Sequence, residues 1–313
     1  MKAYIKLCLI LEIPLLLLAI IGNFISALIF NRKNLTKYSA CHLYKLSCFS
    51  YIVSAITMFV PTIIILFDYD IQDEFFCKLR LIIYWSAISS WILAYISFDR
   101  MISIAYPKRL EILKKKNFHY LIIGLIIAYN FIVYGILAGP NQDIIFFNET
   151  NPANNASYRT LILCGFKTYE FFESTSIFDL INFSALPFTL MIVFSIISVI
   201  TLFKNRKIIN KKKVSKQEKA RQKRDIRFAV TSISLNVIFL VFTLPFVVLQ
   251  IIKDSLNNGE FDLLYEITGL LYVSGLTFNF LVYYTSNKLF RNEVNSILKV
   301  KPFLTQSKSS STK

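Results

Sequence analysis

Seven long apolar runs constrain this chain more than any other feature. They fall at about residues 7–30, 40–67, 77–101, 119–139, 176–203, 226–252 and 263–285 of a 313-residue sequence. A helix needs about 20 residues to cross the hydrocarbon layer of a bilayer, and each run is of that order or longer. Inside lipid a spanning segment must satisfy its own backbone hydrogen bonds, which a helix does. The sequence therefore predicts an all-α membrane protein, a seven-transmembrane helix bundle within a domain covering residues 1–303. Its low share of charged residues, 17%, fits apolar blocks that are rarely interrupted.

The links between the runs carry the remaining information. The first run holds Glu12 and Pro14 near its start and follows Lys2 and Lys6. Its apolar length exceeds a usual signal core and no small-residue cleavage site follows, so it reads as a true span. The loop after the fourth run is about 35 residues long. It contains Cys164 and two glycosylation sequons, at Asn148 and Asn155. Lys204–Arg224 is strongly basic and too short for a folded domain. Residues 286–298 place Leu289, Phe290, Val294, Ile297 and Leu298 at helical spacing, which predicts an amphipathic helix on the membrane surface. Residues 304–313 form a polar tail expected to be disordered.

Charge fixes the expected orientation. A net charge of +16 is common in nucleic-acid binders, but the basic residues here sit between the apolar runs, as on a cytoplasmic membrane face. On one side of the seven spans lie 28 of the 35 Lys and Arg residues with five acids. The other side has seven basic residues and 14 acids. The count predicts an extracellular amino terminus in a multi-pass plasma-membrane protein, with no nucleic-acid partner. It also disfavours the opposite topology of insect olfactory channels.

Several short motifs then fall in a telling order. Gly22-Asn23 lies in the first run, Asp99-Arg100-Met101 ends the third, and Pro187 interrupts the fifth. Phe242-Thr243-Leu244-Pro245 lies in the sixth, with Phe239 six residues before the proline. Asn279-Phe280-Leu281-Val282-Tyr283 ends the seventh. Together these resemble the rhodopsin-like (class A) G-protein-coupled receptors over nearly the whole chain, in a divergent form similar to invertebrate neuropeptide receptors. The resemblance implies coupling to a heterotrimeric G protein through Asp99, Arg100, Asp225, Asn279 and Tyr283. It implies helix pivots at Pro187, Phe239 and Pro245, and a disulfide between Cys77 and Cys164. Cys8, Cys41 and Cys48 read as packing residues. Asp225, twenty residues before Pro245, is open to two readings: a resting-state partner of Arg100, or an acid favoured by a helix start.

Departures from the family pattern are equally specific. The second run has no acid, and Ser50 or Ile52 stands where the family has a sodium-binding aspartate, depending on alignment. Thr243, Phe280 and Ser195 replace the family's tryptophan, proline and tyrosine. Ile82-Ile83-Tyr84-Trp85 lacks the aspartate of amine receptors, leaving Tyr84 and Trp85 as the ligand-binding candidates. No lysine lies between Lys253 and Lys288, which excludes a retinal Schiff base. Acidic outer loops around an aromatic-rich bundle would attract a cationic or amidated peptide, although a solvated outer face predicts the same acids. No cofactor is expected; anionic membrane lipid is an expected partner of the basic inner face, and arrestin a further one of the tail.

Other classes fare worse. Histidine occurs only at His42 and His119, both at span ends, and no catalytic set is visible. A transporter would need repeated polar groups at mid-bilayer, and the better candidates, Asn130 and Asn236, do not repeat. A chemosensory receptor for a small molecule stands as the alternative within the receptor class.

Overall fold

The computed structural model describes residues 3–66, 85–105, 116–138, 142–150, 158–166, 178, 180–211, 216–252 and 255–298. The seven spans are α1 (Ala3–Phe30), α3 (Ser39–Leu66), α4 (Trp85–Ala105), α5 (Lys116–Ala138), α6 (Leu186–Lys211), α7 (Lys216–Ile252) and α8 (Asn258–Ser286). A one-turn helix, α2 (Lys33–Thr36), joins the first two spans, and α9 (Lys288–Ile297) follows the last. A π-helical segment, Leu180–Ala185, leads directly into α6. Among the described residues, α1, α5, α6 with its π-helical lead, α7 and α8 are long and apolar enough to cross a membrane. By contrast α4 is richer in serine and is buried along nearly its whole length, so its neighbours rather than lipid supply its surroundings.

Two differences from the expected boundaries have a local cause. The helices α6 and α7 both run into the basic link and leave only residues 212–215 between them. Lys, Arg, Gln, Glu and Ala are good helix formers, so a stretch too polar for lipid still prolongs the helices beyond it. Two stretches of the long loop between α5 and α6 are also regular. Gln142–Thr150 (β1) and Tyr158–Phe166 (β2) pair antiparallel, with Gln142 opposite Phe166 and Thr150 opposite Tyr158. The first strand is rich in Ile and Phe and the second in Leu, with Tyr, Ile, Phe and Thr, and the intervening segment is rich in Asn, with Pro and Ser. The third span was expected to start at residue 77, and residues 77–84 lie outside those described.

Asn287 makes the turn that separates α9 from α8. Its backbone is extended, and its side-chain oxygen accepts from the N–H groups of Leu289 at 3.1 Å and Phe290 at 3.3 Å. That cap satisfies orphan donors at the start of α9. The expected amphipathic face then turns inward at Phe290 and Val294, both buried, while Ile297 and Leu298 remain exposed. Phe290 closes an aromatic cluster with Phe30 of α1 and Tyr283 of α8, ring centroids 5.0 and 5.6 Å away. Tyr44 of α3 joins it, 5.5 Å from Tyr283.

Polar side chains fasten the helices where hydrophobicity cannot, since lipid is as apolar as leucine. Asn23 of α1 donates to the carbonyl of Leu276 in α8 at 3.1 Å. Asn182, in the π-helical segment, uses all four of its hydrogen-bonding positions. Its oxygen accepts from Trp91 Nε1 at 3.1 Å and Tyr129 Oη at 3.3 Å. Its nitrogen donates to Asn130 Oδ1 at 3.4 Å and Tyr134 Oη at 3.2 Å. The indole can only donate, which settles the amide's orientation. Three helical segments thus meet on one buried residue, beside a backbone that departs from α geometry. Asn182→Leu should strand the Trp91 N–H and lower stability by roughly 1–3 kcal/mol, read as a fall in the thermal midpoint of the detergent-solubilised protein. An unchanged midpoint would deny Asn182 this role.

Candidate functional site

The site is built at the carboxy-terminal end of α4, termed inner after the orientation that the charge count leads one to expect. Asp99 and Arg100 close that helix's apolar run, and both are buried, Arg100 to 5% exposure. The guanidinium donates through Nε to Asp99 Oδ2 at 3.0 Å, with a second bond from Nη2 to the same oxygen. Its carbon also stands 5.9 Å from the ring centroid of Phe228 on α7. A permanent cation is held here by the neighbouring acid and roofed by an aromatic ring from another helix.

Asp225 lies on that same face of the molecule, 3.8 Å from Arg224 and within electrostatic reach of Arg100. Because α7 begins at Lys216, Asp225 occupies its third turn. The helix dipole and the capping positions act over the first turn, so the helix-start reading of Asp225 falls.

Above the site, α7 passes Pro245, which has no N–H for the helical ladder and supplies a bend point. Phe239 is buried and meets Phe188, next to Pro187, edge to face at 5.2 Å. Phe242 faces α8 and stacks on Phe278 at 5.1 Å. A Cβ added to Gly275 would come within 2.8 Å of Phe242 Cβ. The two backbones therefore close up at the pivot because residue 275 lacks a side chain. Thr243, standing where the family has a larger tryptophan, is buried beside a small cavity that Tyr51, Phe242, Tyr272, Gly275 and Asn279 help to line. It has about 10 Å³ of room for the centre of a water, which is close to the space one water needs.

Between the pivot and the inner end runs a polar seam. Asn279 donates to the carbonyl of Leu276 at 3.3 Å, the same carbonyl that accepts from Asn23. Tyr283 is fully buried in the aromatic cluster. Ser50 is 2% exposed and hydrogen-bonds Ser89 of α4 at 2.7 Å, whereas Ile52 is only partly buried. Ser50 is therefore the inward-facing residue, and Ser54 reaches the same Ser89 hydroxyl at 3.4 Å. A hydroxyl cluster takes the place of a carboxylate and carries no charge to hold a cation. Asn236 donates to Ser97 at 2.8 Å and Ser195 at 3.0 Å, tying α7 to α4 and α6.

Sequence reasoning passed over one outer residue, Glu12, as a mere interruption of the first span. It is partly buried and accepts from the Thr62 hydroxyl of α3 at 3.2 Å, with Glu266 of α8 acting on its charge. The available signal was an ionisable group inside an apolar run, which is by default a functional hypothesis. Trp85 is the first residue of α4; Tyr84, Cys77 and Asn155 lie outside the described residues. Cys164 falls in β2 opposite Ile144, and Asn148 in β1 opposite Thr160. Cys8, Cys41 and Cys48 are unbridged.

These features define a helical membrane bundle with a buried cation at its inner end and a proline inside the helix above it. The comparisons with known proteins agree. The model of the rhodopsin-family seven-transmembrane receptors matches residues 22–283, and the chain belongs to that family. The crystal structure of squid rhodopsin superposes with a TM-score of 0.74, covering 95% of this chain and 86% of that one at 17% identity, a likeness of fold. No curated protein matches. The protein is accordingly a multi-pass plasma-membrane receptor that couples an extracellular ligand to a G protein, and it is not an enzyme. The α8 segment has no lysine, so retinal has no amine to bind.

The pivot geometry carries its own prediction. Gly275→Ala forces Phe242 and α7 away from α8 and should lower the thermal midpoint. Gly269→Ala on the same helix meets nothing within 4 Å and should leave it unchanged or raise it, since alanine favours a helix by up to about 1 kcal/mol. Equal midpoints for the two variants would refute the close-approach account.

Proposed function

We propose that this receptor answers a cationic or amidated neuropeptide, with its amino terminus outside the cell. The observation that carries the reading is the acid near the start of α1: Glu12, held by Thr62 and within electrostatic reach of Glu266, in a chain whose expected outer loops are rich in acids. A carboxylate kept in an apolar span costs stability, and a ligand cation would offset that cost in the bound state. Glycans at Asn148 and Asn155 and a Cys77–Cys164 bridge belong to the same extracellular reading. Screening a neuropeptide library on expressing cells tests it. A basic peptide should give a response that Glu12→Gln and Glu266→Gln weaken by about tenfold in potency or more, by analogy with a lost charged contact. A response only to neutral small molecules would replace the peptide reading with the chemosensory one. Peptide mapping without reduction should find Cys77 and Cys164 joined.

On the inner side, Arg100 is the switch residue and Asp225 its second resting partner. Supporting this are the burial of Arg100 against Asp99 and the position of Asp225 in electrostatic reach, away from any helix start. Swinging the inner end of α7 outward about Pro245 would uncover the guanidinium for a G-protein helix. Lys204–Arg227 and the tail would meet G protein, anionic lipid and, after phosphorylation at Ser307–Thr312, arrestin. Asp225→Asn should raise ligand-free signalling by up to about tenfold at matched surface expression, the ratio that a loss of about 1.4 kcal/mol produces. Arg100→Ala should abolish coupling. Equal basal signalling in Asp225→Asn and wild type would end the assignment of Asp225.

A further inference from the structure

The inner end of α7 is tied to α3 by contacts that involve no acid at all. Tyr44 Oη donates to the backbone carbonyl of Phe228 at 2.7 Å. The Phe228 ring, which roofs Arg100, lies 5.9 Å from the Tyr38 ring and 6.2 Å from that of Tyr44. One turn further inward, the Arg224 guanidinium stands 4.5 Å from the Tyr38 ring centroid. Tyr44 is fully buried and Phe228 is 2% exposed, so water does not compete for the hydroxyl.

We propose that Tyr38, Tyr44 and Phe228 form an aromatic clasp that holds α7 closed over Arg100, with Tyr44 as its positioning residue. The Tyr44 hydroxyl grips the backbone of α7 rather than a side chain, so the helix itself is held. Opening α7 about Pro245 has to break that bond, lift Phe228 from the guanidinium and draw Arg224 off Tyr38 together. These contacts share one moving element, so their losses fall in one step. Burial shields the Tyr44 bond from salt, whereas the Arg224–Asp225 pair has both members more than a quarter exposed, in the range where such a pair contributes little. The clasp rests on the reading of Arg100 as the coupling group, and its test separates the two.

The full-length receptor in lipid nanodiscs is spin-labelled at Val230→Cys on α7 and Tyr120→Cys on α5 in a Cys8→Ser background. Both labelled positions are lipid-facing and exposed. Tyr44→Phe removes one oxygen and keeps the ring. It should lengthen the ligand-free distance between the labels and raise ligand-free recruitment of engineered Gα subunits, tried from each Gα class, by roughly two- to tenfold, the effect of one hydrogen bond. Arg224→Gln, at the edge of the clasp, should shift the distance in the same direction by less. An unchanged distance in Tyr44→Phe overturns the clasp whatever the signalling does. A longer distance with no recruitment of any Gα class upholds the clasp and overturns the coupling role of Arg100.

Discussion

A guanidinium 5% exposed at the inner end of an apolar bundle is the constraint on which the rest of the molecule depends. Arginine keeps its charge at any ordinary pH, so it cannot escape desolvation by losing a proton. It must be neutralised and covered. Asp99 neutralises it from the next position on the same helix, which needs no second helix to be in place. Covering it does need a second helix, and Phe228 of α7 provides that cover. The cation is therefore satisfied in two layers, one local and one that depends on where α7 stands. Only the second can change without breaking α4.

The surroundings show how such a site is kept uncharged elsewhere. Several serine and threonine hydroxyls along the spans return to their own helix: Ser26 to the Gly22 carbonyl, Ser97 to Leu93, Ser198 to Phe194, Thr268 to Leu264. Helices are joined by asparagine at Asn23, Asn182 and Asn236, whose amides offer both donors and acceptors, and by the hydroxyl pairs Ser50–Ser89 and Ser286–Thr231. Around the inner end, rings from α1, α3, α8 and α9 fill the space near the seam. Aromatic packing there is dense and shape-dependent, which suits an assembly with discrete closed and open arrangements.

The pivot of α7 shows how a departure from the family pattern is absorbed. With Thr243 in place of a large indole, Phe242 turns toward α8 and settles on Gly275. Phe239 keeps its edge-to-face contact with Phe188 on the other side. The helix is thus braced against α6 and α8 just before Pro245. The second span absorbs its missing acid in a comparable way, by a bond between Ser50 and Ser89 that needs no ion.

The seven spans and the surface helix were legible in the sequence because apolar length is a property read along one chain segment, and a bilayer imposes it segment by segment. The motif order placed Arg100, Pro245 and Tyr283 for the same reason: each sits at a fixed distance from a span's end. The contacts between spans were not legible. Ser50 and Ile52 point about 200° apart around their helix, so choosing between them requires knowing which face meets α4. Asp225 could be mistaken for a helix-start acid until α7 was seen to begin at Lys216. The convergence on Asn182, the grip of Tyr44 on the Phe228 carbonyl and the lodging of Glu12 against Thr62 each join residues 48 or more positions apart. Such pairs depend on the rotation and crossing of several helices at once, which no single segment encodes.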